Sequence, residues 1–235
     1  MLVKYDLHIH SKLSSCASEL STPNNILNMC MLKELSLVSV SDHNSLKQHY
    51  AFSKIINSYD YLFLYGVEIT VQEGFHILAY FENYEDAMLM DSIIDNSLDK
   101  SVLLNKDLFS QIVYDELDNE SRYIDYVLNQ KSRLNFNEIS KFIRKFNGII
   151  ILAHIDRLNS GVLSYYTDLK GFDFDGIELD NSKNIINLIK KYPILKTYRY
   201  LINSDSHSID TINENNFINL NELSFKGFKE WLKNE

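Results

Sequence analysis

The stretch Lys4-Tyr5-Asp6-Leu7-His8-Ile9-His10 decides how the rest of the chain is read. Residues 3–9 read as a β-strand, and residues i and i+2 of a strand share a face. His8 and His10 therefore project together from its carboxyl end. One His-x-His is a weak signal in a chain with seven histidines. What matters is whether other histidines hold the same position on other strands.

Working outward, they do. Residues 37–41 form a second strand running into Ser41-Asp42-His43. Residues 61–70 form a third that carries Gly66-Val67-Glu68, and 75–81 a fourth that carries His76, with a turn at Glu73-Gly74 between them. Residues 149–153 run into His154, 176–179 carry Glu178, and 199–203 run into Ser204-Asp205-Ser206-His207. Only His49 falls inside an expected helix, 45–58. Each motif alone has an ordinary explanation as a turn, a satisfied core histidine or a surface carboxylate. Independent structural histidines have no reason to choose the same end of successive strands, so the joint placement points to metal.

The segments between are helical. Thr22-Pro23 opens one helix, with Thr as N-cap and Pro at its first position. Others cover 84–96, 183–191 and 224–233. Asn135-x-x-Glu138 has the form of a capping box ahead of Phe136, Ile139, Phe142, Ile143 and Phe146. Alternating strands and helices imply βαβ units and a mostly parallel sheet. Six or seven strands fit a closed or distorted β/α barrel, whose chemistry sits at the strands' carboxyl ends. We expect one domain over 1–235. The stretch 98–126 breaks the rhythm and reads as an insert: a specificity element, a surface excursion or an interface arm.

Composition sets limits. The 235 residues are 45% hydrophobic and 23% charged, enough for a real core. No apolar run approaches the roughly 20 residues of a membrane span. No signal peptide is visible at the start and two cysteines make no disulfide framework, so a cytoplasmic protein is expected. The formal charge of −9 and a pI near 5.3 disfavour a groove that tracks nucleic-acid phosphates, so no long nucleic acid and no membrane is expected as partner. Imidazoles with a few carboxylates suit Zn, Mn or Fe better than Mg or Ca. The donors exceed what one ion needs, so two or three divalent ions are expected, with Glu68 as bridge. No Gly-x-Ser-x-Gly or phosphate-cradling glycine loop is present.

This ordered set, Asp6-Leu-His-Ile-His10, Ser41-Asp-His43, Gly66-Val-Glu68, His76, Ala153-His154 and Ser204-Asp-Ser-His207, resembles the polymerase and histidinol phosphatase (PHP) family of metal-dependent phosphoesterases. The resemblance implies a distorted (β/α)7 TIM-like barrel with a trinuclear site. It implies that His8, His10, Glu68 and Asp205 hold one metal, Glu68, His76 and His154 a second, and His43 and His207 a third. The family draws a further ligand from the loop after the first motif; here that loop has no histidine and offers only Cys16 and Glu19. A thiolate there would favour zinc.

The implied reaction is hydrolysis of a phosphate ester by a metal-bridging hydroxide, with Glu68 and Asp205 catalytic and Asp205 taking the water's proton. Arg157 is the first candidate for substrate phosphate and Lys12 the second. Asp42 and Glu178 are candidate supports for the ligands. The expected substrate is a small phosphorylated metabolite or nucleotide. The alternatives are a non-catalytic metal-stabilised module, a nuclease, and a phosphotyrosine-protein phosphatase of the same fold.

Overall fold

The computed structural model describes residues 1–234. Its strands are β1 (Leu2–Ile9), β2 (Leu37–Val40), β3 (Leu62–Thr70), β4 (His76–Phe81), β5 (Ile112–Tyr114), β6 (Glu120–Tyr123), β7 (Ile149–Leu152), β8 (Gly176–Glu178), β9 (Arg199–Leu201) and β10 (Phe217–Asn219). Its helices are α1 (Pro23–Leu32), α2 (His49–Ile55), α3 (Tyr84–Ser97), α4 (Phe136–Lys145), α5 (Ile185–Lys191) and α6 (Phe225–Leu232).

Eight strands form one curled sheet in the order β10-β1-β2-β3-β4-β7-β8-β9. The β1–β2, β2–β3, β7–β8 and β8–β9 pairs are parallel. The antiparallel β3–β4 hairpin and the antiparallel β4–β7 pair interrupt them. This is the distorted TIM-like barrel expected from the motifs. At its carboxyl end the barrel closes: Ile9 bridges Ser206 in parallel, with His10 N–H donating to Ser206 O at 2.8 Å and Ser206 N–H to His8 O at 3.1 Å. At the other end β10 pairs antiparallel with residues 2–4 of β1, and no strand pairing joins it to β9.

Burial explains the strand patterns. Residues 149–152 read Ile-Ile-Ile-Leu and are wholly buried, as a strand covered on both faces requires. One layer of core packs Tyr80, Ile149, Ile151 and Leu201 against Phe225, Phe228 and Leu232 of α6. A second packs Ile77, Ala79 and Ile150 against Ile139 and Ile143 of α4 and Met90 and Ile94 of α3. The expected capping box is present: Asn135 Oδ1 accepts from Glu138 N–H at 3.0 Å, and Glu138 Oε2 accepts from Asn135 N–H at 2.9 Å.

Some boundaries differ from the sequence reading. The helix expected over 45–58 is only α2 followed by a 3₁₀ turn, Ile56–Ser58. Asp91 of α3 accepts from Leu46 N–H at 2.7 Å and Ser45 Oγ at 3.3 Å, and these bonds hold 45–48 outside the helix. The strand expected over 199–203 ends at Leu201 because Asn203 turns to accept from Leu7 N–H at 3.0 Å. β10 is too short to leave a periodic signal and was not expected. Within 98–126, β5 and β6 form a separate two-stranded sheet. No helix among the described residues is long and apolar enough to cross a membrane.

Candidate metal centre

The strand ends bring three overlapping donor groups together: His8, His10 and Glu68; Glu68, His76 and His154; His10, His43 and His207. Glu68 is the hub. Its Oε1 lies 2.7 Å from His76 Nδ1, 2.9 Å from His154 Nε2 and 3.6 Å from His8 Nε2. Its Oε2 lies 2.7 Å from His43 Nδ1 and 3.6 Å from His10 Nε2. Asp205 Oδ1 adds a carboxylate 3.0 Å from His10 Nε2 and 3.3 Å from His8 Nε2.

Local backbone places these groups. The His43↔Glu68 bridge extends the β2–β3 pairing past the strand end and sets the two residues side by side. Gly66 lets the strands approach: a Cβ there would lie 2.9 Å from Val40 O and closer still to the Ser39 and Ser41 hydroxyls. His154 and Asp205 both have left-handed backbone, at φ 26° and 49°, a conformation costly for non-glycine residues and found at functional sites.

A surrounding layer fixes the rings. His8 Nδ1 donates to Glu178, 3.0 Å from Oε1. The same carboxylate accepts from His154 N–H at 2.9 Å and Asn203 Nδ2 at 2.7 Å. Ser14 Oγ donates its proton to Asp42 Oδ1 at 2.7 Å, so His10 Nδ1, 3.1 Å away, must be the donor in its contact with Ser14. His207 Nδ1 donates to Asp205 O at 2.8 Å. With Nδ1 occupied in each case, His8, His10 and His207 keep Nε2 for a ligand-type contact.

Electrostatics follow from burial and neighbours. Burial lowers His8, but Asp205, Glu178 and Glu68 outweigh it and hold the ring well above its ordinary value. His10, buried and beside His43, is pushed down to about 3. Burial raises Asp205, but His8 and His10 hold its carboxyl far below the usual range. Burial raises Asp42, and bonds from Ser11 and Ser14 only partly offset that rise.

A divalent cation fits this donor set. Buried Glu68 Oε2, His43 Nδ1 and His154 Nδ1 lack any hydrogen-bond partner among the described residues. Glu68 Oε2 and His43 Nδ1 are 2.7 Å apart but not in hydrogen-bonding geometry. Nε2 of His8 and Nε2 of His10 lie 3.2 Å apart, close to the ~3.4 Å separating two nitrogens on one tetrahedral ion at about 2.1 Å.

The remaining sequence candidates divide. Arg157 reaches the site: Nη1 donates to Asp205 Oδ2, and Nη2 and Nε donate to Asp180 Oδ1. The ammonium of Lys12 is buried on the Glu19 carboxylate at 2.8 Å and Ala17 O at 3.2 Å. It is thus held inside its own loop, as is Glu19. Cys16 is exposed on the same loop; burial raises its thiol, but the nearby His207 and His43 rings outweigh that and bring it to about 6. His49 stands apart, buried among Phe52, Phe63 and Tyr65 with Nε2 2.8 Å from Gly66 O. Ser14, Asn203 and Asp180 were not singled out from the sequence. Only Ser14, four residues past His10 in the motif loop, carried a positional signal.

No protein-family model matches the chain, and no curated protein matches it. Solved structures do. The lesion-specific endonuclease Q of Pyrococcus furiosus superposes with a TM-score of 0.70 at 20% identity, over 100% of this chain and 56% of that one. An endonuclease Q bound to a 27-mer duplex with an abasic lesion at its active site gives 0.69 at 20% identity, over 100% and 57%. A candidate metal-dependent phosphoesterase from Bifidobacterium adolescentis gives 0.59 at 16% identity, over 96% and 94%. The chain thus spans a little over half the length of the endonuclease chains. These neighbours overturn the expectation that long nucleic acid is excluded, since a duplex occupies the active site of one protein with this fold. Net charge is a sum over the whole surface and does not describe one groove. On these grounds the chain has the fold of the PHP-like metal-dependent phosphoesterases.

Proposed function

We propose that the chain is a metal-dependent phosphoesterase that hydrolyses a phosphate ester at the His8–Glu68–His207 cluster. The observation that carries this is the sharing of Glu68 and His10 among three donor groups, an arrangement suited to two or three neighbouring ions. His8, His10, Glu68 and Asp205 would hold one; Glu68, His76 and His154 a second; His43 and His207, with His10 alongside, a third. We assign Cys16, rather than Glu19, to complete that third group, since the His43 and His207 rings lower its thiol while Glu19 pairs with Lys12. Ions held there supply Lewis acidity toward phosphoryl oxygens and lower the pKa of bound water.

The chain's own residues do the rest. Asp205, kept ionised, accepts a proton from the attacking water. Arg157, on the rim beside Asp205, offers its guanidinium to a phosphoryl oxygen, and Asp180 steadies it from the far side. Glu178 and the Ser14–Asp42 pair hold His8 and His10 in the tautomers that leave Nε2 available.

A nucleic-acid phosphodiester is the second substrate reading. It is favoured by the superposition of the whole chain on a DNA-bound endonuclease. The test is hydrolysis by the purified chain, with Mn²⁺ or Zn²⁺ added, of phosphomonoesters, phosphodiesters and a duplex carrying an abasic site. Turnover of any of them, abolished by chelator and restored by metal, is the expected result. A metal-loaded chain that hydrolyses none of them overturns the proposal.

A further inference from the structure

Between the two outermost strands of the curled sheet lies a cleft of about 600 Å³, a volume typical of small-ligand sites. It exists because the barrel closes at its carboxyl end through Ile9 and Ser206, while at the other end β9 and β10 are the unpaired edges of the sheet. The lining is unusual for an acidic chain. Lys196 and Arg199 face it, and no described carboxylate lines it. Its walls are aromatic: Tyr198 and Tyr200 on the β9 side, Phe217 on β10 and Trp231 on α6. Tyr200 and Phe217, one from each edge, are 43% and 49% exposed. The Arg199 guanidinium lies 5.3 Å from the centre of the Trp231 ring, forming a flat cationic platform.

Exposed aromatic rings on opposite walls, two cations and no carboxylate define a ligand with a planar ring and negative charge. We propose that this cleft binds a nucleotide unit, its base stacked against Tyr200 and Phe217 and its phosphate on Arg199 and Lys196. A separate recess lies between this cleft and the metal centre. It shares Ile202 and Asn215 with the cleft and reaches Asn203, Ser204 and Asp180. Asp205 follows Ser204, and Asp180 holds Arg157. From Arg199 to Asp205 the chain spans at most about 20 Å by strand rise, within reach of a few nucleotides. The recess carries Asp180, Asp210 and Glu214, so the phosphate contact belongs to the cleft and not to the path between. As a substrate-class assignment the inference rests on the phosphoesterase reading; as a binding site it stands on the cleft alone.

Trp231 is the chain's only tryptophan, so its emission reports the cleft directly. The experiment titrates the full chain with thymidine 5′-phosphorothioate and with a phosphorothioate-linked thymidine octamer, both resistant to turnover. Saturable quenching is expected, weakened tenfold or more by Arg199→Ala and by Tyr200→Ala, whose side chains are exposed and carry no core packing. Similar affinity for both probes assigns the cleft to a free nucleotide. Tighter binding of the octamer by tenfold or more assigns it to a strand leading to the metal centre. No saturable quenching by either probe overturns the proposal, as does quenching that both substitutions leave unchanged. Hydrolysis by the wild-type chain is scored separately: activity without quenching sinks the cleft alone, and quenching without activity sinks the phosphoesterase reading alone.

Discussion

Glu178 Oε1 lies 3.0 Å from Nδ1 of His8, and this contact sets which nitrogen of His8 faces the other donors. A carboxylate on Nδ1 keeps the proton there, so Nε2 is the nitrogen that a metal would take, displacing its proton. Such partners typically contribute ten- to a hundredfold in metal affinity. Glu178→Gln keeps the size but loses the charge, and its single carbonyl oxygen can no longer accept from both Asn203 and His154 N–H. Its metal affinity, measured by competition with a chromogenic chelator, should fall by about ten- to a hundredfold. Unchanged affinity would show that His8 does not depend on Glu178.

Glu68→Ala acts more severely, because both carboxylate oxygens serve several rings at once. Elemental analysis should show a loss of bound metal from more than one site, and hydrolysis should disappear. A circular dichroism spectrum establishes that the variant has folded. Full metal content in the folded variant would remove Glu68 from its bridging role.

Much of this site was legible in the sequence because strand geometry is local. His8 and His10 share a face by the two-residue period alone, and the positions of Glu68, His76, His154 and His207 follow from strand ends visible as apolar runs. The supporting layer was harder to read. Asn203 reaches Glu178, and Asp180 reaches Arg157, only after the barrel has curled. Lys12, two residues past His10, was a candidate for substrate phosphate, yet it is buried on Glu19 and Ala17. β10 escaped notice because its three residues alternate exposed, buried, exposed over too short a span. Its pairing with β1 joins residues more than 200 positions apart in the chain.

The His43 and His207 rings lower the Cys16 thiol, whereas Glu19 is held by Lys12, which assigns Cys16 to the third group. Substituting Co²⁺ into the wild-type chain should therefore give a near-ultraviolet thiolate-to-cobalt charge-transfer band. Cys16→Ser should abolish that band and release one class of bound metal, while Glu19→Gln leaves both in place. A wild-type spectrum without the thiolate band refutes the assignment, whatever the activity.

The stretch 98–126 is tied to the barrel through Asp95 of α3. Asp95 Oδ1 accepts from Lys47 Nζ at 2.7 Å and from the Tyr126 hydroxyl, while Oδ2 pairs with Lys100. Burial raises its pKa, but bonds from Lys100, Lys47 and Tyr126 outweigh that and hold the carboxyl well below the usual range. A carboxyl depressed in the folded state contributes stability above its unfolded value, near 3.9, and loses it as pH falls toward the folded value. Melting temperature should thus drop below about pH 4. Asp95→Asn, less stable at neutral pH, should flatten that part of the profile. An equally steep acid limb in the variant would place the acid sensitivity elsewhere.

Gly66 stands where β2 and β3 approach each other, two residues before the hub of the metal centre. A Cβ at this position meets Val40 O at 2.9 Å and presses on the Ser39 and Ser41 hydroxyls. The hydroxyls can rotate, but the Val40 carbonyl is buried in the β2–β3 ladder and can yield only by spreading the strands. Overpacking of this kind costs about 1–3 kcal/mol, so Gly66→Ala should lower the urea midpoint with little change in slope. The same spreading acts on the His43↔Glu68 bridge beyond it, so metal affinity should fall as well. A control that destabilises to the same extent far from the centre, such as Phe228→Leu in the α6 core, should leave metal affinity unchanged. If both substitutions lowered metal affinity equally, general destabilisation and not strand spacing would be setting the geometry at Glu68.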